Sequence, residues 1–211
     1  MAGAFVAPWM GAGILAGAAL TAYSRRLFNS APRSLPWAEL ATSLLTGCAF
    51  GGLAWRFGNQ FDVLPYSVLA AVGATLGLVD VIEQRLPSVL TYSGVAVVGA
   101  LMATSAILHS RGPDLLRAMA GMLVLAVFYL VLALASGGGL GAGDVKLSAL
   151  LGLALGWSSW SALIAATFLT WFGAGLGWLH LRIIRRRPRD SPVPLGPFLL
   201  FGALLTISVF H

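Results

Sequence analysis

Residues 115–146 read LLRAMAGMLVLAVFYLVLALASGGGLGAGDVK: about twenty mostly apolar positions, a run of glycines, then a carboxylate, Asp144, at the head of another apolar run. An apolar stretch of about 20 residues is what an α-helix needs to cross the hydrocarbon core of a bilayer, so this reads as a membrane span. A charge at that depth costs about 2.5–3.5 kcal/mol on insertion scales, which makes such residues rare and mostly functional. A second carboxylate, Asp80, closes another apolar stretch. The pair is the main clue to function.

Composition agrees with a bundle of such spans. The chain of 211 residues is 58% hydrophobic and 9% charged, against roughly 25% charged residues in a soluble domain. We read an all-α, polytopic membrane helical bundle, with residues 1–211 forming one membrane-embedded domain. Within it, 1–63 supply N-terminal helices joined by a short cytoplasmic loop, and 64–211 form the core. The net charge of +6 does not point to nucleic acid, because the basic residues flank apolar segments, as the positive-inside rule requires. The single cysteine, Cys48, lies inside an apolar stretch, which leaves no disulfide framework and no zinc site. No cofactor or metal is expected. The first arginines, Arg25 and Arg26, follow the first apolar run instead of preceding it, which argues against a cleaved signal peptide and for an outside N-terminus.

Spans are expected near 4–23, 38–57, 64–82, 89–108, 115–136, 145–160, 161–181 and 195–210. Only Trp157-Ser158-Ser159-Trp160 separates the sixth from the seventh. Two tryptophans around two serines fit an interfacial turn; one long bent helix is the competing reading. Eight spans put Arg25, Arg26, Arg33, Arg85, Lys146, Arg182, Arg185, Arg186, Arg187 and Arg189 on the cytoplasmic side and Arg56, Arg111 and Arg117 outside, the bias the rule demands. Two spans lie between Asp80 and Asp144, so both face the cytoplasm. Glycine pairs four residues apart (Gly13/Gly17, Gly47/Gly51, Gly73/Gly77, Gly152/Gly156, Gly173/Gly177) are read as close-packing positions.

The glycine run at 137–143 loosely matches a dinucleotide fingerprint through Gly137, Gly139 and Ala142, but it lacks the strand and βαβ unit that motif needs. Glycines also end helices. Asp144 is then open to two readings, an N-cap of the sixth helix or a reactive carboxylate. Asp80 sits near a helix C-terminus, where the macrodipole disfavours a negative charge; its structural alternative is an ion pair with Arg85 or Lys146. Asp62, Asp114 and Asp190 fall in loops, Glu83 in a turn and Glu39 at a helix start. His109, His180 and His211 fit no nucleophile arrangement.

The segment Asp80-Val81-Ile82-Glu83-Gln84-Arg85-Leu86-Pro87-Ser88-Val89-Leu90-Thr91 resembles the first active-site segment of type IV prepilin peptidases. Gly141-Ala142-Gly143-Asp144-Val145-Lys146-Leu147 resembles the second, the GxGD segment, and Pro194-Leu195-Gly196-Pro197-Phe198 the late proline-glycine segment that opens the last helix. Order and spacing match from about Leu35 onward. Presenilin-like GxGD proteases match less well, since Val79 stands where their tyrosine precedes the first aspartate.

The resemblance implies an aspartic endopeptidase of the bacterial cytoplasmic membrane, with Asp80 and Asp144 catalytic. Its substrates would be pilin-like precursors with basic leader peptides, cut on the cytoplasmic side, and its partners the lipid bilayer and pilus or type II secretion machinery. Gly141 and Gly143 would let an extended peptide backbone come close. Lys146 would support the loop or tune the pair's charge, against the alternative of a snorkelling lysine. Longer members of the family also methylate the new N-terminus and carry two cysteine pairs in the first cytoplasmic loop. Residues 24–37 hold no cysteine here, so methylation is not expected. Two rival classes remain: a proton- or ion-coupled transporter, for which no inverted repeat is visible, and a non-catalytic assembly factor, against which the aspartate pair argues.

Overall fold

A computed structural model describes residues 2–24, 36–136, 140–183 and 195–209. The arginines at 25, 26, 33, 185–187 and 189, the glycines at 137–139, Asp190, Pro194 and His211 lie outside the described residues. Those described form eight helices: α1 (Ala2–Ser24), α2 (Pro36–Phe57), α3 (Val63–Glu83), α4 (Ser88–Leu108), α5 (Gly112–Ala135), α6 (Ala142–Ser158), α7 (Trp160–Ile183) and α8 (Gly196–Val209). Each expected span corresponds to one of them. By length and composition, five are long and apolar enough to cross a membrane: α1, α3, α4, α5 and α7. The shorter α6, at 17 residues, rises roughly 25 Å and is lined by protein along most of its length. The chain is a multi-pass membrane protein.

The doubtful turn at Ser159 separates two helices. Its backbone is extended, with φ −172° and ψ 164°. Its hydroxyl accepts the Ala162 N–H at 3.0 Å, so a serine N-cap starts α7 where one long helix would have run on.

Buried side chains concentrate on α3 and α6, from Tyr66 to Val79 on one and Leu147 to Trp157 on the other. Large apolar side chains on the surrounding helices stay exposed, among them Leu15, Leu44, Leu116, Leu134 and Phe168. That outward apolar face suits lipid. The two helices that carry the aspartates are therefore the ones most enclosed by protein.

Glycines set how closely the helices approach. Side chains on neighbouring helices fill the space beside Gly47 and Gly51 (Ile14, Met10), Gly73 and Gly77 (Leu200), and Gly173 and Gly177 (Phe198). At the α5–α6 crossing backbone meets backbone: a Cβ on Gly121 would stand 2.6 Å from the Gly152 carbonyl oxygen, and one on Gly152 would run into the Gly121 carbonyl.

The end of the bundle away from the aspartates is tied by ions, among them Asp62, at the N-cap position of α3, and Asp114, expected in a loop but lying in the first turn of α5. Buried Asp62 accepts from Arg111 at 2.6 Å and from the Ser105 hydroxyl at 3.2 Å. Arg111 also binds Asp114 at 2.7 Å and lies 4.5 Å over the Trp157 ring. Arg117 reaches Asp114 at 3.0 Å and donates to the carbonyls of Gly156, Trp157 and Ser158. A cation there satisfies the last carbonyls of α6 and suits the negative end of its dipole.

Gly152→Ala should lower the apparent melting temperature of the detergent-solubilised protein by roughly 2–10 °C, since overpacking costs about 1–3 kcal/mol. Gly175→Ala, where a Cβ meets nothing within 4 Å, should be neutral or slightly stabilising. Equal melting temperatures for the two variants would contradict the seam.

Candidate active site

Three helix ends and one loop converge at the other end of the bundle. Asp80 lies in the last turn of α3 and is 6% exposed. The helix closes one residue past Glu83, where Gln84 turns left-handed at φ 52° and returns its N–H to the Asp80 carbonyl at 2.9 Å. The chain then runs through Arg85 and Leu86 to Pro87, which occupies the N-cap position of α4 in an extended conformation. Proline suits that place, because a residue at a helix start needs no intrahelical N–H bond.

The Asp80 side chain crosses to α8. Its Oδ2 accepts the Gly196 N–H at 3.0 Å. The carboxylate thereby takes one of the orphan donors at the start of α8, at the positive end of that helix's dipole. A Cβ at Gly196 would lie 2.6 Å from the same oxygen, so the contact requires glycine. Among the described residues neither Arg85 nor Lys146 forms an ion pair with Asp80, which removes the structural alternative raised from the sequence.

Asp144 sits in the first turn of α6. Gly141, not Asp144, holds the N-cap position. The aspartate is the third helical residue and reaches back to accept the Gly141 N–H at 3.3 Å, the carboxylate half of a capping box. The sequence left capping and reactivity as alternatives; here one oxygen takes the capping bond while the side chain remains half-buried. Asp80 stands at the same end of the bundle, since Leu86, six residues beyond it, packs on Gly143, the residue before Asp144.

The α3–α4 loop packs against the start of α6. A Cβ at Gly143 would stand 2.8 Å from Leu86 Cβ, so Leu86 fills the space that this glycine leaves. Lys146 Nζ donates to the Ser88 hydroxyl at 2.7 Å and lies 5.3 Å from the Tyr92 ring centroid, which directs it to α4. Gly141 is exposed and open to approach from outside. The sequence thus named the side chains here but missed the Gly196 contact. Its one signal was the glycine-proline pair at a helix start. No group of three metal-ligating side chains forms among the described residues, and His109 lies at the other end, its ring against the Ser105 carbonyl.

A polytopic helical membrane protein with two aspartates at the meeting of three helix ends is the class that this geometry defines. Residues 67–210 match the Type IV leader peptidase family, about two thirds of the chain, and the chain belongs to that family. It is 30% identical over 174 residues to a prepilin leader peptidase/N-methyltransferase of Pseudomonas aeruginosa, covering 82% of this chain and 57% of that protein. Proteins of the same description from Bacillus subtilis (29%, 78% of this chain and 63% of that protein) and Stutzerimonas stutzeri (29%, 84% and 59%) are similar. The chain thus spans less than two thirds of the length of these curated relatives. No solved structure matches it significantly.

The loop contact can be tested without any activity. With Cys48→Ala as background, cysteines replacing Leu86 and Gly143 should cross-link under mild oxidation, since a small outward shift brings their Cβ atoms to the roughly 3.5–4.5 Å that a disulfide spans. A mobility shift reversed by reductant is expected. No cross-link would contradict this packing of α6 on the loop.

Proposed function

We propose that the chain is an aspartic endopeptidase that removes basic leader peptides from pilin-like precursors, acting through Asp80 and Asp144 on the cytoplasmic side of a bacterial cytoplasmic membrane. The observation that carries this reading is the arrival of the two carboxylates at one end of the bundle, Asp80 in the last turn of α3 and Asp144 in the first turn of α6, with neither in an ion pair among the described residues. Family membership supports it, and so do the names of the relatives, which describe leader peptidases.

Two neighbouring carboxylates do not both ionise easily, so the pair holds one proton and works as a unit. The ionised aspartate takes a proton from water as the water oxygen bonds to the scissile carbonyl carbon. The protonated aspartate gives its proton to the carbonyl oxygen. The tetrahedral intermediate then collapses: the C–N bond breaks, the nitrogen takes up the proton held by the first aspartate, and the second recovers its own from the hydroxyl. Gly196 and Gly141 keep the carboxylates oriented through their N–H groups. Lys146 supports the α4 side of the cleft through Ser88. Exposed Gly141 leaves room for an extended substrate backbone. The cytoplasmic orientation rests on the distribution of arginines about the spans.

Asp80→Asn and Asp144→Asn should each abolish cleavage of a co-expressed prepilin while leaving expression and melting temperature near those of the unchanged chain. Asn keeps the shape and loses the exchangeable proton. Lys146→Ala should reduce the rate less than either. Near-normal processing by either Asn variant would end the two-aspartate mechanism.

We further propose that this chain cleaves without methylating. The loop at 24–37 contains no cysteine, and the one cysteine, Cys48, lies within α2. Mass spectrometry of the mature pilin from cells carrying only this chain should show a free primary amine. A precursor engineered to present its leader on the outer side should remain uncut. A methylated product, or cleavage of the externally presented leader, would overturn the corresponding claim.

A further inference from the structure

The α5–α6 seam runs on from its glycines into the site. Gly156 lies against Arg117, Gly152 against Gly121, and the Ser148 hydroxyl meets the Leu125 carbonyl at 3.3 Å. Each step moves four residues back along α6 and four forward along α5, the repeat of one antiparallel helix face. The next step sets Asp144 opposite Tyr129.

Tyr129 is fully buried, and its hydroxyl has no hydrogen-bond partner among the described residues. Its ring stacks on Trp171 at 6.2 Å and 14°. The Trp171 indole, stacked on the ring, makes no hydrogen bond to the phenol. An indole only donates, so the phenol's own hydrogen still lacks an acceptor. Packing does not explain the hydroxyl: phenylalanine would fill the same space without a buried orphan. The acceptor that the α5–α6 register brings opposite is the Asp144 carboxylate, whose one long bond to Gly141 leaves acceptor capacity unused.

We propose that Tyr129 is a positioning residue for the aspartate pair: its phenolic O–H donates, directly or through one water, to the Asp144 carboxylate. Donation to a carboxylate favours the ionised form. Asp144 is then the member that takes the proton from water, and Asp80 the member that starts protonated. The inference rests on the peptidase reading above. Among the described residues the other ionisable groups at this end of the bundle are Asp80 and Glu83 at the end of α3, Arg85 just past it, Tyr92 on α4 and Lys146 on α6. Asp80 on α3 repels it, and Lys146 on its own helix is turned to Ser88, beside Tyr92 of α4. The described part of α8 carries none, and on α7 His180 lies roughly two and a half turns beyond Trp171.

The test is the pH dependence of kcat/KM for leader cleavage by the full chain in detergent. Tyr129→Phe removes the donor, so the acid limb should move up by about one pH unit, with roughly a tenfold loss below it and recovery toward the unchanged rate above it. Fluorination makes a phenol more acidic and a stronger donor. 3-Fluorotyrosine installed at position 129 should therefore move the limb down, and this arm decides the matter if the Phe variant does not fold. An unchanged profile in the variant that folds, or a loss uniform across pH, would show that Tyr129 serves packing alone. Asp144→Asn assayed alongside separates the two claims. If it is inactive while the Tyr129 variants keep the original limb, only the present inference fails; if it is active, the peptidase mechanism itself fails.

Discussion

A carboxylate enclosed by apolar helices must find a donor, and Asp80 finds one 116 residues away in the chain, in the first N–H of α8. The contact joins the end of α3 to the beginning of the last helix. It is sterically exacting, because any side chain at Gly196 would occupy the position of the carboxylate oxygen. Leu200, one turn further along α8, fills the space beside Gly73 and Gly77 of α3, so polar contact and helix packing fix the same pair of elements. With α3 held in this way, the α3–α4 loop reaches α6 through Leu86, and the start of α4 reaches it through Ser88. The place of Asp144 relative to Asp80 follows from those two supports.

The opposite end of the bundle solves the same problem with charge. Arg111, Arg117, Asp62 and Asp114 tie the turns between helices, and Arg117 covers the last carbonyls of α6. Asp62 is buried there, and these groups supply one another's hydrogen bonds. Between the two ends the α5–α6 seam is held by backbone-to-backbone contact at Gly121 and Gly152. Helix α6 is therefore fixed at its foot, its middle and its head, as befits the element bearing one of the proposed catalytic aspartates.

Much of this was legible in the sequence. Apolar runs marked all eight helices, five of them long and apolar enough to cross a membrane, because a helix in lipid must be long and apolar whatever it packs against. The two aspartates stood out because charge at that depth is expensive, and the motifs around them indicated the family to which the chain belongs. The partners were not legible. Asp80 and Gly196 are brought together by a crossing that no local pattern encodes, and Tyr129 read as one more aromatic in an apolar run until the register of α5 on α6 set it across from Asp144. The Ser159 break was readable only as a possibility, since its decisive feature is a hydroxyl that caps α7. Asp62 and Asp114 looked like ordinary loop acids because the arginines that bind them lie on other turns or one helical turn away.

The central claim is that Asp80 and Asp144 act as one catalytic unit, and residual rates measure this most directly. Leader cleavage would be followed under single-turnover conditions for Asp80→Asn, Asp144→Asn and the double variant, each checked for a normal melting temperature. Groups that act together are strongly non-additive, because removing either one already removes the function of both. The account predicts a double variant no slower than the slower single variant. A double variant whose loss equals the product of the two single losses would show two independent contributions and contradict it.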